Sequence, residues 1–410
     1  MTTTVIKTIG STGDFSTPQL WEDGAPANLT TAENSPANTF SGTFVQGESL
    51  TFTGSGATGK FLHTDNSTYI IYGLITGNPA SGDSVAGATA SCILTSSTPD
   101  DTGVIWQGQC QNQEFSGAGT QVTITGSTAS ATAYKEFTTV AGASFRDNAN
   151  VQTNALRYNS ANGCGITGTS DTTTTINLQE AGCRMSKIQV AATGAGARAV
   201  ATTAAAASGF LDFSILEGTY DATGANLGVL GVNSNTFTTR NCVIILRTSV
   251  ADHVVGVSDK DSIAFYNCTI VAADDLATAP VSIFLSGASG SVTVQNCGLF
   301  AGDSTKAIKA GSATFNFTTC YSDISGTSGV TQTTYSSEFQ NVNDATRDFR
   351  LVTGAAQKDT GTTDATNAAI DIAGTARPSG SAYDVGCWEF VQAAGPGQTY
   401  YHHHDIHPVS

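Results

Sequence analysis

Four stretches of the chain carry one pattern of apolar and polar positions: Phe237-Thr-Thr-Arg-Asn-Cys-Val-Ile244, Ile263-Ala-Phe-Tyr-Asn-Cys-Thr-Ile270, Val292-Thr-Val-Gln-Asn-Cys-Gly-Leu299 and Phe315-Asn-Phe-Thr-Thr-Cys-Tyr-Ser322. With the cysteine as position zero, positions −5 and −3 are mostly apolar, the period-two alternation of a strand with one buried face. The alternation slips by one between position −1 and the cysteine, then resumes at +2. A strand changes phase only at a bend, and asparagine readily takes the left-handed conformation such a corner needs. The frame extends upstream with other residues in the slots. Lys187 precedes Ile188, with Met185 and Val190 inward; Asp212 precedes Phe213, with Phe210 and Ile215 inward; Cys164, between Gly163 and Ile166, sits one coil earlier. The zero positions 164, 188, 213, 242, 268, 297 and 320 are then 24, 25, 29, 26, 29 and 23 residues apart.

An uneven period in the twenties, with strand alternation and corners, predicts an all-β fold, a right-handed parallel β-helix solenoid. Leucine-rich repeats share the period but would show leucine at fixed offsets and a helix per repeat, and neither is evident. Neighbouring coils would lie about 4.8 Å apart, so like residues stack as ladders. The expected inward ladder is Ile188, Phe213, Cys242, Cys268, Cys297 and Cys320, beside a polar ladder of Asp212, Asn241, Asn267 and Asn296. The cysteines read first as buried free thiols, since reduced cysteine packs as a small hydrophobe and stacked Cβ atoms lie farther apart than a relaxed disulfide prefers. Disulfides or a redox role are the alternative. The asparagines read as corner chemistry.

Composition bears on partners more than on fold. Only 12% of residues are charged and 40% are hydrophobic, so the 410-residue chain can bury a core under a coat of Thr, Ser, Asn and Gly. Seventeen basic against 33 acidic residues give a net charge of −16. Such a surface repels a polyanion, and no basic cluster offsets it, which argues against nucleic acid as a partner. No apolar run is long enough for membrane insertion, and the first ten residues lack the blocks of a secretory signal, so synthesis in the cytoplasm is expected. The nine cysteines are an odd number with no CxxC spacing.

The C-terminal part runs Asp348-Phe-Arg-Leu351, Asp359-Thr-Gly361, Asp371-Ile-Ala-Gly374, Arg377-Pro378 and Asp384-Val-Gly-Cys-Trp-Glu-Phe390. This order resembles the closing segment of right-handed parallel β-helix proteins of the pectate-lyase-like kind, departing from it at Cys387-Trp388. The resemblance implies the fold and no substrate, because that family includes lyases, hydrolases, adhesins and viral spikes. Lys7 to Phe15 is similar to the opening strand and turn of the same fold. Ser16 to Asp23 would be a capping helix, with Ser16 or Thr17 as N-cap and Pro18 in its first turn. Gln46-Gly-Glu-Ser-Leu is echoed by Ser81-Gly-Asp-Ser-Val85, with strands expected at Phe61-Leu62 and from Tyr69 to Leu74. This small β module resembles the glycine-rich repeats of tailed-phage structural proteins. Trp106 to Asp147 resumes the main chain in a style similar to phage-encoded β-helix proteins. The expected organisation is residues 1–40 as strand and cap, 41–100 as a small inserted β module, 101–390 as the β-helix with its closing segment, and 391–410 as a His-rich tail.

Hydrolysis by a serine or cysteine nucleophile needs a histidine with an orienting acid. Outside the tail only His63 and His253 are present, neither in a recognisable motif. Carboxylate chemistry on carbohydrates would need clustered acids, and the weak candidates are Asp252, Asp259, Asp261, Asp274 and Asp275 with Lys260. Their plainer role is in tight turns. His402, His403, His404 and His407 could bind zinc or nickel, but a loose tail fixes no geometry; a tail adhering to a partner through Tyr400 and Tyr401 is as simple. No cofactor is expected.

Two functions follow from the resemblance. The first is a non-enzymatic structural protein of a tailed-phage virion surface: a homotrimeric spike or fibre decorating the capsid, held to other virion proteins such as the major capsid protein. The alternative is a receptor-binding tail spike that depolymerises a host surface glycan. A secreted adhesin or pectinase-like enzyme ranks third, lacking an export signal.

Overall fold

The computed structural model describes residues 2–391 except 148–153, 171–173, 195–197, 203–207, 219–227, 234–235, 248–252, 258–261, 273–281, 288–289 and 344–345. One coil shows the plan. Thr236–Arg240 is a strand, Asn241 turns the chain, and Val243–Leu246 and His253–Val257 are the next two strands. Each pairs in parallel with its equivalent one coil on, so that Phe237, Ile263, Val292 and Phe315 stand in one row. Among the described residues this gives three parallel sheets of nine, nine and seven strands, a parallel β-helix.

The three sheets bury different faces. In the first, strands such as Ser262–Tyr266 alternate, with Ile263 and Phe265 inward and Tyr266 half-exposed. In the second, strands such as Val243–Leu246 are buried throughout. Ile244 and Leu246 point into the solenoid core, while Val243 and Ile245 point outward against residues Phe339, Phe349, Ile372 and Trp388 of the C-terminal segment. Two-sided burial replaces alternation by a continuous apolar run.

The corner residues stack at positive φ: Lys187 (62°), Phe213 (48°), Asn241 (50°), Asn267 (51°), Asn296 (52°) and Thr319 (50°). Phe213 is therefore a corner residue and not a rung of the inward ladder, and the frame in that coil shifts by one. Ser214 occupies position zero and is fully buried, Leu211 and Leu216 point inward, and the Phe213 ring lies outside, 4.2 Å from the Arg146 guanidinium. Asp212 accordingly leaves the polar ladder: it ends the strand Ser208–Asp212 and pairs with Arg240 of the next coil. Phe210 is half-exposed, and Ile215 joins the cluster under the C-terminal segment.

Most residues at position zero carry a side-chain donor, Ile188 being the exception. Cys242 Sγ donates to the Arg240 carbonyl (3.1 Å), Cys268 to Tyr266 (3.4 Å), Cys297 to Gln295 (3.3 Å) and Cys320 to Thr318 (3.5 Å). Ser214 Oγ makes the same bond to Asp212 at 2.9 Å. The carbonyl two residues back already accepts the corner amide of the preceding coil, as Tyr266 accepts from Asn241 and Gln295 from Asn267 (both 3.0 Å), and the thiol or hydroxyl adds a second donor to it. All nine cysteines are free and buried, and burial pushes the Cys183 and Cys387 thiols up to about 12. We expect Cys268→Val, which removes the donor at similar volume, to cost about 0.5–1.5 kcal/mol more than Cys268→Ser in urea unfolding. Equal costs would refute the donor role.

Between the first two strands of the first sheet, Thr3–Ile9 and Val104–Cys110, lies a closed antiparallel barrel. It uses Ala32–Ser41, Tyr69–Thr76, Thr58–Thr64, Ser49–Thr53, Ser84–Ala86 and Ser91–Leu94 in that order around the ring, with Asp101–Thr102 added at one edge. The module thus begins at Ala32 and ends at Thr102, wider than the expected 41–100. Its two echoed motifs brace each other. Glu48 accepts the Ala88 amide (2.6 Å) in one hairpin, and Asp83 accepts the Ser55 amide (3.0 Å) in the other. The facing glycines leave room: a Cβ on Gly87 would lie 2.6 Å from the Glu48 carboxylate, and one on Gly54 2.4 Å from Asp83.

Both ends of the solenoid are tied down. The helix Pro18–Asp23 starts at Thr17, whose Oγ1 accepts the Leu20 amide at 3.2 Å. It lays Trp21 on Phe137 (centroids 5.4 Å apart) and over Gly108, the close approach that requires glycine there. The C-terminal segment runs back along the second sheet and binds the asparagine corners. Asn296 Nδ2 donates to the Thr362 carbonyl (2.7 Å) and its Oδ1 accepts the Thr362 amide (2.8 Å). Asn241 Nδ2 reaches the Asn367 carbonyl, and Asn267 Oδ1 accepts from Arg377.

Carboxylates fold that segment by taking up its amides: Asp371 accepts from Glu389, Glu389 from Ser379 and Asp384, and Asp384 from Asp359. Burial, with the Asp384 charge second, raises the Glu389 carboxyl from its ordinary 4.5 to about 7. A carboxyl raised in the folded state holds its proton more tightly there than when unfolded. Its contribution is complete below about 4.5 and is lost as pH rises through about 7. The unfolding temperature should therefore fall between pH 4.5 and 7 more steeply in the wild type than in Glu389→Gln, which cannot titrate. Identical slopes would refute the assignment.

Candidate functional site

The outer face of the first sheet carries a cleft of about 280 Å³ lined by Gln107, Gln109, Glu136, Arg184, Asp212 and their neighbours. It arises where outward positions of successive strands fall in register. Gln107, Glu136, Arg184 and Phe210 form one column across four coils, and Asp212 and Arg240 continue the next.

The side chains form a hydrogen-bonded mat. Gln107 Nε2 donates to Glu136 Oε2 at 2.7 Å, and Gln109 Nε2 to Gln107 Oε1 at 2.5 Å. Arg240 grips Asp212 through two bonds of 2.6 and 2.5 Å. Beside them, the Arg184 guanidinium lies 3.9 Å from the Tyr134 ring centre and 5.1 Å from that of Phe210, with Arg240 5.2 Å from Phe210. Alternating cationic and aromatic planes next to amides and carboxylates suit a ligand with many hydroxyls and some apolar ring faces. Glu136 and Asp212 are both half-buried and held by neighbours, an arrangement for binding hydroxyls more than for carrying protons.

Three further charged clusters are buried, apart from the exposed Arg247 in the third. Lys135 lies between Glu22 (2.6 Å) and Glu180 (3.0 Å); Arg377 lies 3.8 Å from Glu389; Glu217 meets Arg247 (2.9 Å) and Arg347 (4.0 Å). The first and third join segments remote in sequence, and the second closes the C-terminal segment on itself.

The acids singled out in the sequence, Asp252, Asp259, Asp261, Asp274 and Asp275, and Lys260, lie outside the described residues, as do His402, His403, His404 and His407. His253 is buried, and its Nε2 accepts the Gly228 amide at 3.0 Å, a structural use. His63 is on the barrel strand Thr58–Thr64. Among the described residues no group of three or more His, Cys, Asp or Glu could hold a metal, and no helix is long and apolar enough to cross a membrane. Sequence reasoning missed the cleft residues Gln107, Glu136, Arg184 and Arg240. Their one signal was a polar or charged outward slot at −4 or −2 of the corner frame.

No family model matches the chain, and no curated protein is similar to it. Among solved structures, the crystal structure of pectate lyase Pel9A superposes with a TM-score of 0.37 at 15% identity, covering 70% of this chain and 88% of that one. The assignment of this chain as a parallel β-helix rests on its own strand register.

Proposed function

We propose that the chain is a non-enzymatic structural protein of a phage virion surface, a homotrimeric spike or fibre decorating the capsid through contacts with other virion proteins such as the major capsid protein. The observation that supports this reading most is where the buried charge goes. Lys135 with Glu22 and Glu180 ties the cap to the first coils, and Arg377 with Glu389 ties the closing segment to itself and to Asn267. Buried ions are costly, and here they are spent on stitching both ends to a rod rather than on a reactive centre. Immunogold labelling of gradient-purified particles of the encoding phage tests it: label should decorate particles, and native light scattering should give three times 41.9 kDa. Particles free of the chain would overturn the reading, and a monomer that stays monomeric would overturn the trimer.

A second reading, a tail spike that depolymerises a host glycan, is favoured by one observation, the cleft that brings Glu136 and Asp212 to one face. Release of reducing ends from host capsule, abolished by Glu136→Gln or Asp212→Asn, would replace the first reading with the second.

A further inference from the structure

The cluster under the capping helix has the makings of a covalent cross-link. Lys135 is 1% exposed, and its Nζ lies 2.6 Å from Glu22 Oε1, 3.0 Å from Glu180 Oε2 and 2.5 Å from the Thr125 carbonyl. The two carboxylates are 6% and 3% exposed. Each is also fixed by a backbone amide, Glu22 Oε1 by Thr125 (2.9 Å) and Glu180 Oε2 by Ser127 (3.0 Å). Glu180 Oε1 is buried with no hydrogen-bond partner among the described residues. Burial raises the Glu180 carboxyl above its ordinary range, against the pull of Lys135.

One ammonium facing two carboxylates out of water leaves an excess negative charge that is expensive to keep. Condensing the ammonium with one carboxylate removes a charge of each sign at once. Fixed contact in a dry site supplies the effective concentration that such a reaction lacks in solution.

We propose that Lys135 Nζ and Glu22 Cδ form an intramolecular isopeptide bond, with Glu180 as the proton carrier. Glu180 takes one proton from the ammonium, and the freed lone pair attacks Glu22 Cδ. The Cδ–Oε1 bond then breaks, and the leaving oxygen receives that proton and a second one from Nζ through Glu180. The products are a secondary amide and one water; Glu180 ends as it began, and no oxidant or co-reactant is consumed. The bond ties the capping helix to the strand Lys135–Thr139, the second strand of the first sheet after the barrel, so residues 32–102 lie inside a covalent loop. The cluster is the one that ties the cap to the first coils in the proposed function, and either an ion pair or an amide there would serve that tie, so the mass measurement can fail without the particle labelling failing.

Mass spectrometry of the purified, denatured full chain is the test. The intact mass should fall short of the sequence mass by one water, and a tryptic digest should contain one branched peptide joining the Glu22 and Lys135 segments. Lys135→Arg should restore the full mass. Glu180→Gln, checked for native circular dichroism, should do the same. Wild-type chain at full sequence mass, with separate Glu22 and Lys135 peptides, would overturn the bond. That result needs no variant to fold. A cross-link that persists in folded Glu180→Gln would overturn the proton-carrier role.

Discussion

Arg377→Met is expected to release the C-terminal segment from the coils, costing about 3–5 kcal/mol, the range for removing one partner of a buried charged network. Arg377 has no exposed side-chain surface in its pair with Glu389. Its Nη1 donates to the Asp384 carbonyl (2.8 Å) and Asn267 Oδ1 (3.3 Å), and its Nη2 to the Gly386 carbonyl (2.8 Å). Methionine fills much of the volume and makes none of these bonds, leaving Asp384 and Glu389 without their guanidinium and Asp371 with Arg146 alone. The corner asparagines would lose their covering chain, and Val243, Ile245 and Val271 would be uncovered. Limited proteolysis should then cut within 352–376 under conditions that leave the wild type intact. An uncut segment with an unchanged unfolding midpoint would contradict the stapling role.

Trp21→Ala should be comparably severe, about 3–5 kcal/mol for a fully buried tryptophan. Trp21 roofs the first coil through its stacking on Phe137 and accepts the Trp106 indole N–H on its carbonyl at 3.3 Å. Its loss would open the edge of the solenoid beneath it, an invitation to strand pairing between molecules. The expected result is a lower guanidinium midpoint together with concentration-dependent light scattering at moderate temperature. A lower midpoint without association would show that the barrel alone shields that edge.

The solenoid was legible because its corner is a local event. A phase slip beside asparagine is written in eight consecutive residues, and it recurs. The coil at Ser214 departs from the expected frame because the zero slot is read as an inward apolar position, and phenylalanine fits that reading better than serine. The slot holds Cys242, Ser214 and Ile188 alike, so apolarity alone does not locate it; the positive-φ corner residue before it does. The barrel's echoed motifs were readable, but its first strand, Ala32–Ser41, carries Pro36 and little apolar alternation, so its boundary was not. The capping helix was placed to within a residue by Thr17 and Pro18.

The candidate site was not legible. Gln107, Glu136, Arg184 and Phe210 stand in different coils, and each alone is an ordinary outward residue; only the strand register brings them together. The Glu22, Lys135 and Glu180 cluster is scattered more widely still. The acids singled out in the sequence are assigned to adjacent coils by the repeat and lie outside the described residues, whereas the cleft joins residues a full repeat apart that share no motif.

Native-state hydrogen exchange read by mass spectrometry tests most directly whether the chain is a single stitched rod. The account predicts that residues 335–390 exchange with the same protection and the same denaturant dependence as the strands from 208 to 300 that they cover, as one cooperative unit. Rapid exchange of 335–390 over fully protected coils would contradict it, and would make the C-terminal segment an appendage instead of the staple described here.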